Sequence, residues 1–116
     1  MAYDTDLADR IRELLAAESN LTEQKMFGGL AFLIGGNMAC SASGHGGLML
    51  RVDPEQSDEL VATGRAELMV MQGRPMPGWL RVGTEHVRTK RDLQRWVEHG
   101  ASYARSLPAK KGAKKR

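Results

Sequence analysis

The chain has 116 residues, 41% hydrophobic and 27% charged, which fits one globular domain around a single core and excludes a largely unfolded polypeptide. No stretch approaches the ~20 apolar residues of a membrane span, and Met1-Ala2-Tyr3-Asp4 lacks the basic start and apolar run of a signal peptide, so a cytoplasmic protein is expected. Cys40 is the only cysteine, which excludes an intrachain disulfide and a thiol cage for a metal within one chain.

From Asp4 to Glu18 the apolar residues Leu7, Ile11, Leu14 and Leu15 fall on one stripe of an α-helix, with Asp6, Arg10, Arg12 and Glu13 opposite. Asp4 is the expected N-cap and Asn20 the expected left-handed stop. The pattern then changes to short apolar runs: Lys25-Met26-Phe27, Leu30 to Ile34, Met38 to Ala42 and Leu48 to Val52, read as four strands. Gly35-Gly36-Asn37 supplies the positive φ angles of a tight hairpin and Gly44-His45-Gly46-Gly47 those of a longer one, which predicts an antiparallel meander. Gly28-Gly29 between the first two strands marks a bulge, a tight bend or a close approach of backbones.

Asp53-Pro54-Glu55-Gln56 starts a second helix, with Asp53 capping, Pro54 at the first position and Gln56 reaching back, and Gly64 ends it. Two strands follow, Glu67 to Met71 and Trp79 to Val82, with Gln72 to Gly78 between them read as an irregular loop because it holds two prolines and two glycines. Thr89 and Asp92 open the longest helix, whose stripe of Leu93, Trp96, Val97, Ala101, Ala104 and Leu107 runs to Pro108. Gly100 inside it predicts an element packed against the helix backbone, since glycine there costs ~1 kcal/mol relative to alanine. Residues 1–107 thus form one α+β domain, and residues 108–116 a basic, disordered tail. The tail explains the basic pI of 9.3. Lys110, Lys111, Lys114, Lys115 and Arg116 carry five positive charges; removing them from 17 basic residues leaves 12 against 14 acidic ones, a net of −2.

The segment Lys25-Met26-Phe27-Gly28-Gly29-Leu30-Ala31-Phe32 behind the first helix, with Gly73-Arg74-Pro75-Met76-Pro77-Gly78-Trp79-Leu80 ahead of the last, resembles the TfoX/Sxy N-terminal domain family over roughly Ala2 to Leu107. The resemblance implies an α+β fold of helix, four-stranded antiparallel meander, helix, two strands and a C-terminal helix packed on the sheet. Full-length members of that family are regulators of natural competence that work with a cyclic-AMP-responsive transcription activator and carry a second, helical domain. This chain is expected to be a stand-alone N-terminal domain, with the lysine-rich tail in place of the second one.

The residues themselves offer little catalytic chemistry. His45, His86 and His99 lie in a glycine loop, a connection and a helix, without the spacing of a zinc site, and read as solvent-accessible. A Cys40–His45 thiolate pair is the one enzyme-like arrangement. Against it, Met38, Cys40 and Ala42 alternate along one face of a strand, which predicts a buried thiol, with Ser41 and Ser43 solvated on the other face. No phosphate loop is present, and no cofactor or metal is expected. Met26, Met38, Met49, Met69 and Met71 are assigned to the core by strand alternation, although thioethers also suit adaptable binding surfaces.

Two surfaces remain. Arg74, Met76 and Trp79 combine the residue types of interface hot spots on a proline-restricted backbone and form the candidate protein-binding site. Arg81, Arg88, Lys90, Arg91 and Arg95, together with Lys110, Lys111, Lys114, Lys115 and Arg116, form an alternative basic patch for weak, salt-sensitive, sequence-independent nucleic-acid binding. The expectation is a non-enzymatic regulatory or adaptor domain that binds a protein partner, a transcription regulator if the resemblance extends that far, as a monomer or a homodimer.

Overall fold

A computed structural model describes residues 3–26, 28–44 and 46–108. The expectations placed on Phe27, His45 and the tail from residue 109 onward lie outside the described residues. Helix α1 spans Thr5–Leu14, and strands β1 to β4 span Leu21–Met26, Gly29–Ile34, Asn37–Ala42 and Leu48–Arg51. A 3-10 turn at Pro54–Gln56 leads into α2, Ser57–Ala62; strands β5 (Ala66–Met71) and β6 (Arg74–Val82) follow, and α3 spans Lys90–Ser106. All six strands join one antiparallel sheet in the order β1-β2-β3-β4-β6-β5, so the α+β architecture matches the sequence expectation.

Local chemistry sets most boundaries. The Asp4 carboxylate accepts hydrogen bonds from the Asp6 and Leu7 amides at 3.0 and 3.2 Å, capping α1. The helix stops at Leu14 rather than near Glu18, and Asn20 is not left-handed; its carbonyl instead accepts from the Gly35 amide at 3.1 Å. β1 begins at Leu21, four residues ahead of the expected Lys25, because it is a polar edge strand whose exposed Thr22, Glu23 and Gln24 carry no apolar signal. Asp53 caps through the Glu55 amide at 2.9 Å, whereas Gln56 makes no side-chain cap. Thr89 caps α3 through the Asp92 amide at 3.1 Å.

The helices pack on one face of the sheet. Leu7, Ile11 and Leu15 from the α1 region and Leu93, Trp96, Val97, Ala101 and Ala104 from α3 share a core with Leu30, Phe32, Ile34, Leu48, Leu50, Leu80 and Val82, while Leu60 and Val61 of α2 pack against its margin. The closest approach is at Gly100, where a Cβ would run into the Ala39 carbonyl oxygen. That contact explains why a helix-weakening residue stands there. Arg12 fastens α1 to β1 through a paired hydrogen bond to Glu23 at 2.6 and 2.9 Å, and the guanidinium holds the Glu23 carboxyl below its usual range. Asn37, buried at the start of β3, donates to the Pro108 carbonyl at 3.0 Å and fastens the chain beyond α3.

Two departures from the sequence reading matter for function. The β2–β3 register pairs Phe32 with Cys40 and Leu33 with Met38, leaving Ala39 as an extra residue. The bulge rotates β3 within one residue, so Cys40 and Ala42 face the helices while Met38 faces the other side. Met38, Cys40 and Ala42 therefore do not share a face, and Ser41 is buried rather than solvated. The second departure is the segment read as an irregular loop. Only Gln72 and Gly73 turn, at φ 54° and 78°, and Arg74 to Gly78 already belong to β6. β6 meets β4 only from Trp79 onward, so Pro75 and Pro77 remove no rung from the β4–β6 ladder.

Candidate protein-binding groove

The face of the sheet opposite the helices carries a second apolar cluster with no helical member: Ala31, Leu33, Met38 and Met49, flanked by Met26, Met69 and Trp79. Ala31 is 0% exposed although no helix covers it. The cover comes from the sheet itself. Met26 on β1 and Met69 on β5, at opposite ends of the strand order, line one cavity of about 410 Å³, so the sheet curls and brings its two edges over the same hollow.

The curl has a local cause at the β5–β6 end. Leu68 pairs with Leu80 and Met69 with Met76, so three residues of β6, Pro77, Gly78 and Trp79, stand opposite none on β5. Gly78 takes φ 87°; its carbonyl accepts from the Val52 amide at 2.8 Å and its amide donates to Ser57 Oγ at 3.2 Å. These bonds anchor the bulge to Val52 after β4 and to Ser57 at the start of α2.

Five thioethers line this hollow, from Met26, Met49, Met69, Met71 and Met76, with Trp79 at its wall. Trp79 is half-buried and is not part of the helix-side core; the Arg51 guanidinium lies 5.3 Å from its ring centre and 5.6 Å from that of Tyr103. Met76 is half-buried and Arg74 exposed. The structure thus brings Met76 and Trp79 together at one hollow, with Arg74 across from Met71 near the hairpin end and outside the lining. The assignment of Met71 to the core is corrected, since it is 46% exposed on the groove rim. Met26, Met49 and Met69 belong to this groove and not to the helix-side core; the alternate methionines Met69 and Met71 on the edge strand β5 were the available signal.

Arg81 also moves. It lines the groove beside Trp79, on the opposite face of the sheet from α3, and so leaves the basic patch to which the sequence assigned it. Arg88, Lys90, Arg91 and Arg95 do cluster at the start of α3, all exposed and joined to no carboxylate in a salt bridge among the described residues. Lys110, Lys111, Lys114, Lys115 and Arg116 lie outside the described residues.

His86 and His99 are half-buried rather than freely accessible; His86 Nε2 lies 3.7 Å from a Glu85 carboxylate oxygen, and His99 packs 5.9 Å from the Trp96 ring. Cys40 is fully buried, and loss of solvation pushes its thiol up to about 12, so the protonated form prevails at neutral pH. Among the described residues no three His, Cys, Asp or Glu side chains gather as a metal group, and no helix is long and apolar enough to cross a membrane.

Helices on one face of a curled antiparallel sheet, with a thioether-lined hollow on the other, define a small α+β domain. Residues 13–104 match the model of the TfoX N-terminal domain, and the chain belongs to that family. No curated protein and no solved structure matches the chain.

Proposed function

We propose that this domain is a non-enzymatic regulatory or adaptor module that binds another protein through the methionine groove, with Arg74, Met76 and Trp79 as anchors. The observation that carries the reading is the groove itself: an apolar hollow walled by flexible thioethers and one tryptophan, the composition of adaptable recognition surfaces. Charge adds a preference. Arg81 lines the hollow, Arg51 lies over the Trp79 ring at its wall and Arg74 stands across from Met71 on β6, against one carboxylate on β5, Glu67, so the partner presents an apolar ridge flanked by acidic side chains. Family membership supports a regulatory role, and a transcription regulator is the partner class that the competence regulators suggest.

The test compares the wild-type chain with an Arg74→Ala/Met76→Ala double variant as baits in nuclease-treated lysate at moderate salt. A protein held by the wild type and lost by the double variant, at unchanged thermal unfolding, supports the reading; retention of every partner by the double variant refutes it. The exposed cations Arg88, Lys90, Arg91 and Arg95, in no salt bridge among the described residues, favour a second reading, weak nucleic-acid contact, which predicts capture lost with nuclease and steeply with salt.

A further inference from the structure

The two edges of the sheet are built differently. β1 carries Glu23 and Lys25, and its Glu23 is tied to Arg12, so charge guards that edge against another strand. β5 reads Ala66-Glu67-Leu68-Met69-Val70-Met71, with one charge, no lysine and no proline. Its only strand partner is β6, and no other backbone hydrogen bond reaches it among the described residues. Val70 at 63% and Met71 at 46% are the large hydrophobic residues that stand exposed among the described residues, and both are on this strand. Long, apolar, open edges of this kind are templates for strand addition.

The charges on the strip select its occupant. On the groove side, Glu67 stands at one end of β5 with Met69 and Met71 after it, and Arg74 stands across from Met71 on β6 at the other end. The sequence along the surface is negative, apolar, apolar, positive. Such a strip is complementary to itself when turned end for end, which is what a two-fold axis does. We infer that β5 pairs antiparallel with β5 of a second copy of this chain, with Met69 on the two-fold axis. In that register Glu67 lies opposite Met71 of the second copy and Leu68 opposite Val70, so each exposed Val70 gains an apolar neighbour. Glu67 then lies two strands, about 10 Å, from Arg74 of the second copy, a span that the two side chains bridge. Symmetry makes the ion pair twice. Within its own copy Glu67 faces Arg81 across the ladder, but no salt bridge joins them.

The consequence is a continuous twelve-stranded sheet whose two methionine hollows adjoin, so that a partner meets a doubled surface. The pairing shares Arg74 with the proposed docking site but is independent of it, because its readout is the mass of the pure protein.

Sedimentation velocity of the wild-type chain from about 1 to about 500 µM is expected to show a particle of twice the 12.8 kDa chain mass at the upper end. Glu67→Arg alone and Arg74→Glu alone each set like charges against each other twice and raise the dissociation constant at least ~10-fold. The combined variant restores the pairing to within ~3-fold of wild type. Val70→Lys, at an exposed position that leaves the fold intact by circular dichroism, abolishes the dimer and serves as the deciding variant if a charge reversal fails to fold. A wild-type chain that stays monomeric throughout, or a dimer indifferent to Val70→Lys or to both charge reversals, overturns the proposal.

Discussion

At the residue scale, Gly100 and Cys40 show two ways in which a bulge in β3 is built into this molecule. Helix propensity alone predicts that Gly100→Ala stabilises α3 by ~1 kcal/mol. The Ala39 carbonyl occupies the space that a methyl group would need, and overpacking of this kind costs ~1–3 kcal/mol. Gly100→Ala is therefore expected to lower the urea midpoint, a sign opposite to the propensity rule. Cys40, turned inward by the same bulge, ionises less readily folded than unfolded, its pKa raised from 9.0 to about 12. Below pH 9.0 both states keep the proton and the thiol has no effect on the pH dependence. As the pH climbs from 9.0 toward 12 the unfolded chain releases its proton first, and stability falls. The stability of wild type relative to Cys40→Ala should accordingly hold up to about pH 9 and drop as the pH rises from there toward about 12, measured by urea unfolding.

At the element scale, the β5–β6 hairpin closes through Gln72 and Gly73, both left-handed. Glycine adopts that conformation freely; glutamine does so at a cost that asparagine largely escapes. Gln72→Asn is expected to raise stability by ~0.5–1 kcal/mol in thermal or urea unfolding, with the ladder unchanged. This hairpin also shows where the sequence was hard to read. Two prolines and two glycines between Gln72 and Gly78 argue for an irregular loop, yet that logic assumes a strand flanked on both sides. The prolines lie where β6 has outrun β4, and the glycine at 78 serves the bulge. The starts of α1 and α3, by contrast, were legible to the residue, because Asp4 and Thr89 announce themselves as caps, whereas the end of α1 was placed four residues too far and Asp53 caps the 3-10 turn ahead of α2. β1 was shortened because an edge strand with a salt-bridged, solvated surface has no hydrophobic rhythm to detect.

At the scale of the whole molecule, the order of elements was legible and the second apolar surface was not. Alternation tells which residues share a face, but it does not tell that a face without helices will fold over itself. Met38 and Met49 are buried as expected, yet they are buried against Ala31 and Leu33 beneath the curl and not under α3. A single shifted residue at Ala39 also reverses the phase of half a strand, which no pattern in Met38 to Ala42 reveals. The candidate residues are placed unevenly: Met76 and Trp79 line one hollow, Arg74 stands two residues from Met76 outside its lining, and Arg81 changed sides.

The placing of the two tryptophans has an optical consequence. Trp96 is sealed in the core at 5% exposure, and Trp79 stands in the open hollow beneath a guanidinium. Acrylamide should therefore extinguish one part of the emission and spare the other, and Trp79→Phe should leave a protein whose remaining fluorescence resists the quencher. Equal quenching before and after that substitution would mean that the indole at position 79 is as sheltered as the one at 96. If the asymmetry is found, the molecule carries its own dye, and anything that fills the hollow announces itself as light the quencher can no longer reach.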